Sequence, residues 1–288
     1  MPRQDDFDRG QKNRRALPPK QPLSAGMRVA THHTFSEPQL RIAVQGQGAP
    51  IVLSHALGLD LTMWDAFAAE LARTREVARY DHRGHGGSAV PPGPYTMEQL
   101  VDDAARMIRE WGRGPVVWIG LSMGGMVGQG LAIRHPELVT GLVLANTTAA
   151  YPEAAAAAWQ QRIAAVESGG MAAVADMVVE RYLHADHRAN NPAAAQALKA
   201  QLLRCDPAGY AASCHAVAAV DWLDQLPAVR VPTLVIAGAR DVGAPPAMAQ
   251  AIAERIPGAQ LHVFDDASHL SVAEVPELFA RTVLEFLG

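Results

Sequence analysis

A mostly parallel α/β sheet flanked by helices, broken once by a helical insertion, is the fold class this sequence predicts, and three observations carry it. Short β-rich apolar runs alternate with longer helical patterns, the rhythm of parallel strands joined by crossover helices. That rhythm stops between Tyr151 and Val220, where the chain becomes Ala-rich and helical. With 49% hydrophobic and 19% charged residues among 288, the chain can bury a large core, which excludes intrinsic disorder. The length approaches that of two average domains, yet α/β folds of this size are routinely one, so a single domain with an insertion fits.

The elements follow in order. Arg28 to Phe35 and Leu40 to Gln45 read as antiparallel strands that open the sheet. The runs Ile51 to His55, Val77 to Asp81, Val116 to Gly120, Leu142 to Ala145, Thr233 to Ala237 and Leu261 to Phe264 read as its other strands, each bounded by Gly, Pro or Asp. Helix breaks are expected at Ser168-Gly169-Gly170, Asn190-Asn191-Pro192 and Asp206-Pro207. Residues 27–149 and 221–288 therefore make the core, and 150–220 a helical cap insertion with too few large side chains for a core of its own. Residues 1–26 read as a disordered tail, with Met27 as an alternative start; Arg14-Arg15 leads into Leu17-Pro18-Pro19-Lys20 where an export signal would need an apolar core.

Charge and cysteines narrow the function classes. The net charge of -4 offers no phosphate-neutralising surface, so no nucleic-acid partner is expected. No apolar run reaches the roughly 18 residues that cross a membrane. Cys205 and Cys214 have no zinc spacing and read as reduced, buried thiols in a cytoplasmic setting.

The strand Val116 to Gly120 runs into Gly120-Leu121-Ser122-Met123-Gly124-Gly125 and then a helical stretch that ends at His135-Pro136. A serine on so sharp a strand-to-helix turn projects its hydroxyl above the sheet edge, and the flanking glycines leave room for the backbone. Ser122 also stands at a helix N-terminus, where free N–H groups favour developing negative charge. Ser122 is the candidate nucleophile.

A serine needs a base, and the base a carboxylate to hold its tautomer. His269, in Asp266-Ala267-Ser268-His269 after the last strand, is the candidate base. Asp241, in Gly238-Ala239-Arg240-Asp241 after the strand from Thr233, is the candidate acid, because Asn146 and Thr147 occupy the other strand end that could supply one. Asp265 and Asp266 read as turn formers. His32, His33, His135, His184 and His187 read as solvated, and His215 as a weaker candidate for lining the pocket. His184 and His187 with Asp186 imitate a metal cluster, but no metal is expected there. The oxyanion hole should use backbone N–H groups of Met123, after the nucleophile, and Leu57, in Ser54-His55-Ala56-Leu57-Gly58, with His55 shaping the loop. Tyr80 to Ser88 reads as structural, its glycines turning the chain and Asp81 with Arg83 fixing the loop; Trp64 reads as core.

Together these residues resemble the α/β-hydrolase superfamily, in which the order Ser, Asp, His is expected. Ser54 to Gly58 with Met63-Trp64-Asp65, Tyr80 to Ser88 continuing to Thr96, Gly120 to Gly125, Leu144 to Thr147, Gly209-Tyr210-Ala211-Ala212-Ser213-Cys214 and Val231 to Gly238 look more narrowly like 3-oxoadipate enol-lactonases. That resemblance implies the α/β-hydrolase fold and the triad Ser122, Asp241 and His269. It also implies hydrolysis, without metal or organic cofactor, of a small enol-lactone in bacterial aromatic degradation. The substrate's carboxylate would be met by a cationic or hydrogen-bonding group of the insertion, with Arg162, Arg181, Arg188 and Arg204 available and none singled out. The sequence departs from the family where Val242-Gly243-Ala244-Pro245-Pro246 replaces the frequent Thr-Pro-Pro after the acid. The alternatives are a broad carboxylesterase or perhydrolase on the same triad, and a non-catalytic small-molecule receptor on the same fold.

Overall fold

In the computed structural model, residues 29–288 are described; the tail expected over 1–26 lies outside them. Eight strands form one sheet: β1 (Ala30–His33), β2 (Arg41–Gly46), β3 (Ala49–Ser54), β4 (Arg75–Tyr80), β5 (Val116–Leu121), β6 (Val139–Ala145), β7 (Thr233–Gly238) and β8 (Gln260–Phe264). Their order across the sheet is β1-β2-β4-β3-β5-β6-β7-β8. β1 pairs with β2 and β2 with β4 antiparallel, and the remaining pairings, from β4–β3 across to β7–β8, are parallel. The α/β class expected from the apolar rhythm is the one observed.

Burial follows from that order. β7 is buried along its whole length because helices cover both faces of a central parallel strand. The edge strands β1 and β8 are largely exposed. β6 starts three residues earlier than its apolar run because Val139 already pairs with Val116. Among the covering helices, α1 (Asp65–Leu71) is followed by α2 (Met97–Trp111), which opens on a capping box between Thr96 and Gln99 and ends at left-handed Gly112. α3 (Met123–Arg134) is buried on all sides through Ala132, apolar but for Gln129, whose Nε2 donates to the Gly125 and Thr148 carbonyls.

Between β6 and β7 the chain makes α4 (Ala156–Gly169), α5 (Ala175–Tyr182), α6 (Ala185–Asn190), α7 (Pro192–Arg204) and α8 (Pro207–Ala218). The excursion closes where it began: Ala150 and Asp221 form an isolated antiparallel bridge, and Trp222 N–H donates to Ala149 at 2.8 Å. It rests on the sheet side through Gly209, whose backbone lies so close to Gly84 that a Cβ at position 209 would overlap it. α9 (Pro246–Arg255), α10 (Ser271–Glu274) and α11 (Pro276–Leu287) complete the helices. Trp64 is fully buried and packs on Phe67 and Phe279.

β5, β6, β7 and β8 run parallel in adjacent positions, so their carboxyl ends share one edge of the sheet. Ser122, Asn146, Asp241 and His269 all follow those ends. Among the described residues no helix is long and apolar enough to cross a membrane.

Candidate active site

The turn after β5 holds Ser122 at φ 56° and ψ -116°, a left-handed conformation that costs a non-glycine residue of order 1–3 kcal/mol. Its surroundings enforce it. A Cβ on Gly120 would overlap the Gly124 carbonyl, and one on Gly124 would overlap the Ser54 carbonyl. Ser122 N–H donates to Ala145 at 2.9 Å, Thr147 Oγ1 donates to the Ser122 carbonyl at 2.7 Å, and Trp118 Nε1 donates to Gly124 at 2.9 Å. The turn is clamped between β3 and β6.

Asp241 and His269 meet. His269 Nδ1 donates to Asp241 Oδ2 at 2.8 Å, which leaves Nε2 of the neutral ring as a lone-pair acceptor. The carboxylate has every acceptor position in use: Oδ2 also receives Asn146 Nδ2 at 3.1 Å, and Oδ1 receives the N–H groups of Gly243 at 2.7 Å and Ala244 at 2.9 Å. Burial pushes the Asp241 carboxyl up, but the His269 charge and these hydrogen bonds outweigh it and hold it below the usual carboxylate range. Gly243 and Ala244 belong to the Val242 to Pro246 segment after the acid, so that loop is held by its own backbone N–H groups on Asp241. Among the described residues no hydrogen bond joins Ser122 Oγ to His269; such bonds often tighten only around substrate.

The N–H groups of Leu57 and Met123 are buried and, among the described residues, have no hydrogen-bond partner. Gly124 N–H, next along from Met123, likewise has no partner among the described residues, whereas Ala56 N–H reaches Met63 Sδ, Gly58 N–H reaches His85 Nε2 at 2.9 Å, and Gly125 and Met126 N–H groups reach the Ser122 carbonyl. Buried backbone donors are otherwise nearly always paired, so free N–H groups at Met123 and Gly124 of the serine turn, and at Leu57 on the loop that follows Ser54, whose carbonyl lies against Gly124, ask for an acceptor from outside the chain.

A cavity of about 290 Å³ lies between the inserted helices and the acid loop. Tyr151, Trp159, Arg162, Arg181, Val242 and Gly243 are among its walls. Arg162 donates through Nε to Tyr210 Oη at 2.7 Å and stacks over the rings of Trp159 and Tyr210. Arg181 is half-buried and, among the described residues, has neither an ion pair nor a hydrogen bond. The space a Cβ on Gly243 would fill is flanked by Arg181 Nε and His269 Nδ1. Arg188 bonds its own helix start at Leu183, and exposed Arg204 lines cavities elsewhere. His215 lines a separate cavity with Gly93 and Pro94, away from this one, because α8 turns it outward.

A model of the Hydrolase_4 family, described as serine aminopeptidase, S33, matches residues 47–276. The chain belongs to the α/β-hydrolase superfamily. Among its relatives, 3-oxoadipate enol-lactonase 2 of Acinetobacter baylyi is 34% identical over 252 residues, spanning 87% of this chain and 93% of the relative. The pimeloyl-[acyl-carrier protein] methyl ester esterase of Aromatoleum aromaticum is 34% identical over 239 residues, spanning 79% and 93%. Among solved structures, the enol-lactonase from Burkholderia xenovorans matches with a TM-score of 0.83 at 37% identity, covering 86% of this chain and 96% of that one.

Three histidines of the hydrolase lie behind the loop that carries Leu57. His55 Nε2 accepts from His82 N–H at 2.9 Å while its Nδ1 donates to Ala56; His85 Nε2 accepts from Gly58 while its Nδ1 donates to Arg83. His55 and His85 must be neutral to accept. Burial lowers His55 to about 4 and His85 to about 3, and takes His82 well below the ordinary histidine value. Asp81 and Arg83 fix the neighbouring turn separately rather than together. Asp81 accepts from Leu61 and Gly87 N–H groups, and Arg83 forks onto Asp103 of α2 through Nε at 2.5 Å and Nη2 at 2.8 Å. His184 is half-buried rather than solvated, since Glu274 accepts its backbone N–H at 2.8 Å.

A depressed histidine pKa stabilises the fold above the unfolded value of about 6.5, and that contribution is lost as pH falls toward the folded values. Raised Asp81 acts in the opposite sense, toward the carboxylate range. The urea midpoint of the hydrolase is therefore expected to be lower at pH 5 than at pH 7.5. An equal midpoint at the two pH values would contradict neutral, buried histidines.

Proposed function

We propose that this chain hydrolyses a small, carboxylate-bearing enol-lactone of the 3-oxoadipate enol-lactone type through a serine acyl-enzyme. The observation that carries the proposal is the strained Ser122 turn, with unpartnered N–H groups at its own Met123 and at Leu57 among the described residues, together with the buried His269–Asp241 pair at the same edge of the sheet. Ser122 Oγ attacks the lactone carbonyl carbon and passes its proton to His269 Nε2, while Asp241 holds the ring and stabilises the imidazolium. The carbonyl oxygen takes its negative charge into the two N–H groups, aided by the N-terminus of α3. Collapse breaks the ring C–O bond; the enol oxygen leaves with the proton from His269 and the enol then tautomerises to the ketone. Water, deprotonated by His269, attacks the acyl-enzyme and releases the open-chain keto acid and free Ser122. The balance is lactone plus one water.

The substrate class is supported by the enol-lactonase relatives and by the two guanidinium groups on a small cavity beside the acid loop. Arg181 is the cation available for a carboxylate, and a hydrogen bond to a charged group contributes about 1.5–3 kcal/mol. Arg181→Ala is expected to raise KM for the carboxylate-bearing lactone by roughly 10–100-fold while leaving p-nitrophenyl acetate turnover near wild type. Equal losses on both substrates would remove Arg181 from carboxylate recognition.

The test of the activity itself compares kcat/KM for the enol-lactone with kcat/KM for p-nitrophenyl acetate. A strong preference for the simple ester would favour the carboxylesterase alternative, which the esterase relative keeps in view. Absence of turnover on both, with tight binding of either, would favour a receptor.

A further inference from the structure

Tyr182, the last residue of α5, is buried and reaches out of the inserted helices to two parts of the site at once. Its Oη donates to the Leu57 carbonyl at 2.8 Å. Its ring lies 4.9 Å from the His269 ring at an interplanar angle of 33°. Its own carbonyl accepts from Leu270 N–H at 3.0 Å and from Ser268 Oγ at 3.2 Å, on either side of that histidine. Buried Glu274 strengthens the same junction, accepting from Ser268 Oγ at 2.8 Å and from His184 N–H at 2.8 Å.

The contact with Leu57 matters because peptide units are rigid planes. The Leu57–Gly58 peptide is held at both ends, its oxygen by Tyr182 and its N–H by His85 Nε2. The preceding Ala56–Leu57 peptide is held by its oxygen, which accepts from His55 Nδ1 at 2.8 Å and from Leu59 N–H at 3.2 Å. In a trans peptide the N–H points opposite to the carbonyl, so these bonds leave the Leu57 N–H directed away from its own loop. Of the side chains that hydrogen-bond the loop among the described residues, His55, Met63 and His85 belong to the sheet side and Tyr182 comes from between β6 and β7, where Tyr210 and Leu202 pack on Gly58 without a hydrogen bond to it. Burial pushes the Tyr182 phenol up to about 12, so it remains a donor throughout the working range.

We infer that Tyr182 is a positioning residue that couples the inserted helices to catalysis, aiming the Leu57 N–H through the Leu57 carbonyl and setting the plane of the His269 ring. The inference rests on the roles proposed above for Ser122 and Leu57. In functional terms, the oxyanion hole is complete only when α5 is docked.

Tyr182→Phe removes the donor and keeps the ring. Three quantities are read on the full chain: kcat and KM for p-nitrophenyl acetate, the inhibition constant of phenylboronic acid, and the melting temperature. Boronic acids form a tetrahedral adduct on an activated serine and place an oxygen where the oxyanion sits, so their affinity reports on the hole directly. Loss of a whole oxyanion donor costs about 10²–10³ in rate, and misaiming one is expected to cost less. The expected result is a kcat lowered about tenfold, KM within about twofold of wild type, and boronate affinity weakened by the same factor as kcat. Unchanged kcat and unchanged boronate affinity would overturn the inference, whatever the melting temperature does. A raised KM with unchanged kcat would also overturn it, since Tyr182 would then be touching substrate. Ser122→Ala serves as the control. If it binds boronate as tightly as wild type, the nucleophile assignment itself fails and takes this inference with it. If it loses boronate binding while Tyr182→Phe keeps it in full, only the coupling fails.

Discussion

Ser122→Ala is expected to lower turnover of any lactone or ester substrate by at least roughly 10⁴-fold, with the fold unchanged. The alanine keeps the backbone of the turn and the N–H groups of Leu57 and Met123, so on the proposed scheme substrate still binds and its carbonyl is still polarised. What is lost is the hydroxyl of the residue that directly follows β5. Residual rate would come from the oxyanion hole and from water in place of Oγ. Steady-state assays of purified variant and wild type at equal concentration decide it, with circular dichroism to check folding. Multiple turnovers at near wild-type rate would remove the acyl-enzyme scheme.

The second large effect is expected at Asp241. Replacing it by Asn keeps the volume and one acceptor oxygen but substitutes an N–H donor at a position where four donors converge: His269 Nδ1, Asn146 Nδ2 and the Gly243 and Ala244 N–H groups. The amide can satisfy Gly243 and Ala244 with its oxygen only by turning its NH₂ toward His269. The ring must then offer Nδ1 as acceptor and carry its proton on Nε2, the wrong tautomer for a general base. Turnover is expected to fall about 10³–10⁴-fold, and part of it should return at high pH if hydroxide replaces the base. A loss smaller than about tenfold would mean that His269 needs no carboxylate, or takes it from elsewhere.

The fold was legible because parallel strands covered on both faces are rich in apolar residues, and five such runs, with a sixth for the exposed edge strand β8, stand out between turn residues. The serine turn was legible for a local reason: two glycines flank a residue that the backbone forces into left-handed φ. Asp241 and His269 were legible from their places after successive strands. Other parts were not, because they depend on contacts between distant residues. Asn146, at φ 48°, reads in sequence only as the absence of an acid; in the structure it donates to Asp241 and to the Ser268 carbonyl and accepts from Ser271 Oγ. Arg83 has Asp81 two residues away, yet pairs with Asp103, because Asp81 is already taken by backbone donors at Leu61 and Gly87. Tyr182 carries no local signal, since nothing in its helix reveals that its hydroxyl ends on a loop 125 positions earlier. The Gly209-Tyr210 pair is intelligible only once Gly209 lies against Gly84 and Tyr210 takes the Arg162 guanidinium.

The bridge between Ala150 and Asp221 gives the excursion a single doorway, with entry and exit side by side. A lineage could therefore trade the whole segment for another without re-threading a strand, and acquire a new diet while the serine turn stays intact. Tyr182 limits that freedom: any replacement must bring its own hydroxyl to the Leu57 carbonyl, or inherit a poorly aimed hole along with its new pocket.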